Sequence, residues 1–126
     1  MKRAVIRLWF SLLVLAGCGK SAPDCIQSSG DIVREELVLP AFQNITVFEN
    51  VRLVLRYGTE QRVVLETGAN LRSDVTARVE EGTLELRDQN NCNFFRAYGR
   101  TTFYVTTPDL QVLRSSTGWP IQSEGV

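Results

Sequence analysis

Apolar and polar residues alternate in short runs along most of this chain, and that two-residue period constrains the fold more than any other feature. Val51, Leu53, Leu55 and Tyr57 alternate with Arg52 and Arg56, and only Val54 breaks the period. Val63 and Leu65 alternate with Arg62 and Glu66, and Phe103 and Val105 share one face of 101–107. Such alternation lays one face of a strand on a core and the other in water. The sharpest signal is a hairpin. Val75, Ala77 and Val79 oppose Thr76, Arg78 and Glu80, Glu81-Gly82 turns the chain, and Leu84 and Leu86 alternate with Glu85 and Arg87. Strands are also expected over 35–39 and 42–48, with a short one beginning at Leu110 and another unit at Ile121. Pro40, Glu49-Asn50, Gly58, Gly68-Ala69-Asn70 and Pro108-Asp109 punctuate them. Beyond the first 17 residues no segment carries a helical stripe, so the pattern predicts an all-β domain.

The beginning of the chain reads differently. Lys2, Arg3 and Arg7 surround the start of an apolar run, Leu8 to Ala16, which passes directly into Leu15-Ala16-Gly17-Cys18. This is the layout of a secretory signal with a small-residue cleavage site. The run falls well short of the roughly 20 residues needed to span a bilayer. A buried amphipathic helix is the alternative, but polar residues at helical spacing are missing.

The Leu-Ala-Gly-Cys order resembles the lipobox of bacterial lipoproteins, in which the thiol is acylated and becomes the new N-terminus. That resemblance implies lipidation at Cys18 and attachment to a membrane without spanning it, each buried methylene contributing about 0.8 kcal/mol. An ordinary signal peptide followed by a coincidental Cys is the alternative. Gly19, in place of an Asp retention signal, points to an outer-membrane lipoprotein facing the periplasm or the cell surface. The expected organisation is a signal over 1–17, a lipidated Cys and tether over 18–31, and an all-β domain over 32–126.

The 126 residues carry 14 basic and 14 acidic side chains, three Cys and no His. Loss of residues 1–17 removes three basic residues and leaves 11 against 14, a net charge of −3. A mildly acidic domain offers no electrostatic footprint for DNA or RNA. Ten of those eleven basic residues are Arg, which suits ion pairs on strand faces. Cys25 and Cys92 remain beside the lipidated residue, and in an exported protein they are expected to form a disulfide. Such a bridge closes a loop of 67 residues, for which chain entropy gives roughly 4 kcal/mol before strain. Two unpaired buried thiols are the alternative.

Several segments, taken in order, resemble a family of bacterial envelope proteins described as "putative auto-transporter adhesin, head GIN domain", common in the Bacteroidetes. Asp24-Cys25 and Gly30 come first, then Phe42-Gln43-Asn44-Ile45-Thr46-Val47, Val51-Arg52-Leu53-Val54-Leu55 and Gly68-Ala69-Asn70-Leu71. Glu81-Gly82-Thr83-Leu84-Glu85-Leu86, Asn91-Cys92-Asn93-Phe94 and Val105-Thr106-Thr107-Pro108-Asp109-Leu110 complete the series, which covers 24–118. The resemblance implies short antiparallel strands leading, after Pro108-Asp109-Leu110, into a right-handed parallel β-helix that is incomplete here. A small β-sandwich or roll is the alternative. Family members continue well beyond the length of this chain, so a fragment of a longer protein is expected. Trp119-Pro120 interrupts the position where a smooth Gly/Ser corner belongs.

Absence of His excludes Ser/His/Asp and Cys/His nucleophile systems and His-based zinc sites. Neither a calcium loop, a glycosidase carboxylate pair, a P-loop nor a dinucleotide fingerprint can be recognised. No catalytic residue, metal or cofactor is therefore assigned. Phe94, Phe95, Tyr98, Phe103 and Tyr104 form the aromatic group best suited to a recognition surface, with Phe103 and one of Phe94 or Phe95 expected to fill the core instead. Arg56, Arg78 and Arg96 are candidate uronate contacts or merely solvated strand residues. The function expected is a non-enzymatic, lipid-anchored envelope protein with an adhesin-like binding or structural module. Its partners would be the membrane and a surface glycan or envelope protein. The alternative is the N-terminal part of a carbohydrate-active β-helix enzyme, similar to uronate lyases, whose catalytic rungs lie past residue 126.

Overall fold

Among the described residues nine strands build two sheets whose apolar faces meet, and the alternation in sequence dictates which side chains enter between them. The computed structural model describes residues 29–89 and 101–125. In chain order the strands are β1 (Ile32–Leu37), β2 (Asn44–Val47), β3 (Val51–Tyr57), β4 (Arg62–Gly68), β5 (Val75–Glu80), β6 (Thr83–Asp88), β7 (Thr101–Thr107), β8 (Val112–Ser115) and β9 (Gln122–Glu124). A 3-10 turn, Ala69–Asp74, joins β4 to β5 and buries Leu71. One sheet has the order β1-β4-β7-β3-β9 and the other β5-β6-β2-β8.

The inward residues follow the two-residue period. Leu53, Leu55, Val63, Leu65, Phe103 and Val105 from the five-stranded sheet meet Ile45, Val47, Leu84 and Leu86 from the four-stranded one. Phe103 is fully buried, as expected of a core residue. The β5–β6 hairpin is antiparallel with Val79 opposite Leu84. Glu81 (φ 49°) and Gly82 (φ 75°) both adopt positive φ at its tip, as a two-residue type I′ turn requires. The charges on its outer face pair along each strand rather than across, Arg78 with Glu80 at 2.8 Å and Arg87 with Glu85 at 3.6 Å.

The strand directions depart from the expectation of antiparallel strands up to Pro108. Parallel pairing begins much earlier, with β2 beside β6 and β3 beside β7. Three strand pairs, β6–β7, β2–β3 and β8–β9, lie side by side, each with its first strand in the four-stranded sheet and its second in the five-stranded sheet. Alternation has the same period in parallel and antiparallel strands, so only the length of the intervening chain could have pointed to this; parallel neighbours need crossovers of about a dozen residues or more. Among the described residues antiparallel pairs are confined to β1–β4, β4–β7 and β5–β6.

Corners between the sheets are stitched by hydrogen bonds. Ser116 N–H donates to the Val47 carbonyl at 2.9 Å, and the Thr117 hydroxyl to that of Val51 at 2.7 Å. Trp119 does not disrupt this corner: Arg52 lies over its ring at 4.0 Å from the centroid. A buried polar chain ties the sheets elsewhere. Thr101 Oγ1 donates to Asp88 Oδ2 at 2.7 Å and contacts Thr67 Oγ1 at 2.8 Å. A hydroxyl has one hydrogen, so with that of Thr101 committed to the carboxylate, Thr67 is the donor to Thr101. Among the described residues no buried side-chain polar atom lacks a partner.

Candidate functional site

The outward face of the five-stranded sheet carries the arrangement most suited to recognition, and register assembles it from strands far apart in sequence. Val54 pairs with Tyr104, and Tyr104 with Val64, so β3, β7 and β4 place these three side chains in one row. Val54 is 6% exposed despite facing outward. The residue that broke the period of β3 is thus the apolar floor beside Tyr104. Rows on either side are polar: Glu66, Thr102 and Arg52 on one, Arg62, Thr106 and Arg56 on the other.

Arginines surround the ring. The guanidinium carbons of Arg34 and Arg56 lie 5.1 and 5.4 Å from the Tyr104 centroid, within the range of cation–π attraction. Arg34 also pairs with Glu66 at 3.3 Å, Arg62 with Glu36 at 3.2 Å, and Arg56 with Glu124 at 2.7 Å. Beside Tyr104 a hollow of about 280 Å³ opens, lined by Arg34, Arg56, Arg62, Glu35, Glu36, Val64 and Thr106. Glu35 is drawn off by Arg72, which donates through Nε at 2.7 Å and through Nη2 at 3.4 Å. Those hydrogen bonds, with the attraction of the Arg72 charge, hold the Glu35 carboxyl below its ordinary value of 4.5. A carboxylate that is ionised at neutral pH and bound to arginine is the opposite of what a general acid there requires.

Tyr104 is the one residue of the expected recognition surface that falls among the described residues, and it is half-exposed on this face. Phe94, Phe95, Tyr98 and Arg96, together with Cys18, Cys25 and Cys92, lie outside the described residues. Arg56 is part of the site, whereas Arg78 sits on the other sheet. Arg34, Arg62 and Val64 were not singled out by sequence reasoning, because only the pairings β1–β4 and β4–β7 bring them to Tyr104. Outward-facing arginine in alternating strands was the available signal. Among the described residues no group of three or more Cys, Asp or Glu is placed to hold a metal ion, and no helix is long and apolar enough to cross a membrane.

Comparison with known proteins agrees with the architecture. Residues 41–126 match the family described as "putative auto-transporter adhesin, head GIN domain". No curated protein matches the chain. A crystal structure described as a putative adhesin from Bacteroides fragilis aligns with TM-score 0.61 and 12% identity, over 72% of this chain and 43% of that one. A putative adhesin from Parabacteroides distasonis aligns with TM-score 0.60 and 11% identity, over 76% and 41%. A protein from the same organism described as a putative lipid binding protein gives 0.57 and 15%, over 68% and 38%. The chain thus spans less than half the length of these structures, and at such identities the likeness is one of fold.

Proposed function

Because the chain belongs to the "putative auto-transporter adhesin, head GIN domain" family, we propose that it is a non-enzymatic, lipid-anchored protein of the cell envelope whose five-stranded sheet presents an adhesin-like binding face. The observation that carries this reading is the outward row Val54, Tyr104 and Val64 ringed by Arg34, Arg56 and Arg62. A half-exposed aromatic ring set in a sheet offers a flat apolar surface with a polar rim. Nothing in that hollow supplies an acid/base couple, since its carboxylates serve arginines. The descriptions of two structural neighbours as putative adhesins support the same assignment.

The side-by-side strand pairs support the reading of this chain as the beginning of the right-handed parallel stack that the family resemblance implies. Each pair covers the apolar face of its neighbour, as in quasi-one-dimensional folds. β8 and β9 lie at the same end of their respective sheets, and Val112 and Leu113 of β8 are 45% and 37% exposed, so another pair fits against them. The proposal extends to Cys18 as the lipid anchor, at the outer membrane, and to a bridge between Cys25 and Cys92, both read from the sequence. Detergent-phase partitioning of wild type and Cys18→Ala tests the anchor; mass with and without reductant, after free thiols are blocked, tests the bridge. The function is tested with the full-length gene product on a glycan array and in a β-elimination assay. Glycan binding without unsaturated sugar product is expected, and β-elimination activity would overturn the non-enzymatic reading.

A further inference from the structure

The geometry around Tyr104 points to a ligand class: we propose that this hollow takes a carboxylate-bearing sugar unit of an acidic polysaccharide. The inference rests on the reading of this face as the binding face and specifies what it binds. Every basic residue among the described residues is arginine, and three of them, Arg34, Arg56 and Arg62, wall the hollow. Guanidinium is planar and matches a carboxylate with two parallel N–H donors. The ion pairs of Arg34 and Arg56 each engage one nitrogen, out of five N–H donors per guanidinium.

Those pairs are also exchangeable. The side chains of Arg34 and Glu66 are 58% and 27% exposed, and those of Arg62 and Glu36 61% and 58%. Solvated pairs of this kind contribute about 0–1 kcal/mol, so a ligand carboxylate replaces or shares an internal one at little cost. The glutamates keep the arginines extended over the face while no ligand is bound. Tyr104 supplies the second element, an aromatic plane on which the apolar side of a pyranose ring takes over from the Arg34 and Arg56 guanidinium groups now 5.1 and 5.4 Å from its centroid. The hollow of about 280 Å³ falls just under the range of about 300–1,000 Å³ usual for ligand sites.

Sugar acid rather than acidic peptide follows from where the hollow lies. Around Tyr104 the backbone donors and acceptors of β4, β7 and the middle of β3 are committed to their ladders, so the floor of the hollow offers only side chains, and the edge strand β1 contributes Arg34, Glu35 and Glu36 to one wall. Main-chain pairing, which gives an extended peptide its affinity at a sheet edge, is not offered by that floor. A ring with a carboxylate uses what this face presents, one aromatic plane and converging guanidinium groups.

Binding of the full chain to polygalacturonate is the test, compared with the same polymer after its carboxyls are reduced to neutral sugar, and with polyglutamate. Tyr104→Phe retains the ring, Tyr104→Ala and Arg34→Gln remove one element each, and Arg114→Gln on the opposite sheet is the control. Wild type is expected to bind polygalacturonate, to lose at least about tenfold on carboxyl reduction, and to weaken as salt rises. Tyr104→Ala and Arg34→Gln are expected to lose about tenfold each, with Tyr104→Phe and Arg114→Gln near wild type. Neutral and acidic polymers bound equally, with loss in Tyr104→Ala, would overturn the acidic specificity and leave the binding face standing. Polyglutamate bound as tightly and without dependence on Tyr104 would overturn the sugar assignment. No binding to any of the three polymers would overturn the proposal, while binding of other glycans on the array would still support the face.

Discussion

Replacing Thr101 and Thr67 by Val, singly and together, probes the buried chain that joins the two sheets. Val matches the shape of Thr, so no cavity is created and the hydrogen bonds alone are at issue. Thr101→Val removes the bond to the Asp88 carboxylate, and bonds to charged groups contribute about 1.5–3 kcal/mol. It also strands the hydrogen of Thr67, which is fully buried; the combined cost is about 2–4 kcal/mol. Thr67→Val removes only a neutral bond and leaves Thr101 still donating to Asp88, a cost of about 1 kcal/mol. The double variant no longer carries the stranded hydroxyl, so it should be no less stable than Thr101→Val alone. Urea unfolding reads all three, because Trp9 lies in the expected signal and Trp119 is then the single tryptophan. With slopes of about 2 kcal/mol/M, Thr101→Val should shift the midpoint by about 1–2 M. A Thr67→Val midpoint as low as that of Thr101→Val, or strictly additive losses, would refute the donor order deduced here.

Gly68→Ala should destabilise by about 1–3 kcal/mol, because its Cβ would collide with the Ser29 carbonyl, which accepts the Asn70 N–H at 3.0 Å; a lowered thermal midpoint checks it. Gln61→Ala should cost about 1–2 kcal/mol, since the Gln61 side chain accepts from Phe42 N–H at 3.2 Å and donates to the Leu39 and Pro40 carbonyls; chemical denaturation reads the loss. Glu35 has its pKa lowered in the folded state, chiefly by hydrogen bonding to Arg72, so its contribution is complete above 4.5 and is lost as pH falls through the lowered folded value. Thermal midpoints of wild type and Arg72→Gln should therefore converge as the pH drops from 6 towards 3.

Much of the fold can be read in the residues, for reasons these variants illustrate. Alternation places Leu53, Leu65 and Phe103 inward with no ambiguity, because one residue of slip would expose the entire set. The β5–β6 hairpin is local and carries its turn chemistry in Glu81-Gly82, so both strands and their partnership are legible. Partnership elsewhere is not local. Thr67, Thr101 and Asp88 share no pattern in sequence, and they meet because β4 and β7 run antiparallel while the last residue of β6 points inward. The same holds for the site. Tyr104 and the anomalous Val54 stand out in the sequence, but Arg34 and Arg62 reach them only through sheet order. Gln61 carries no signal in the sequence, since its role depends on carbonyls some 20 positions away.

The proposed function places binding of a cell-surface glycan, without its transformation, on the face around Tyr104. Its most direct test is a glycan-array titration of the full-length protein and its Tyr104→Ala variant, with unfolding midpoints measured on the same samples. Wild type should bind, the variant should lose about tenfold or more, and the midpoints should match. Undiminished binding by Tyr104→Ala at equal stability would contradict it.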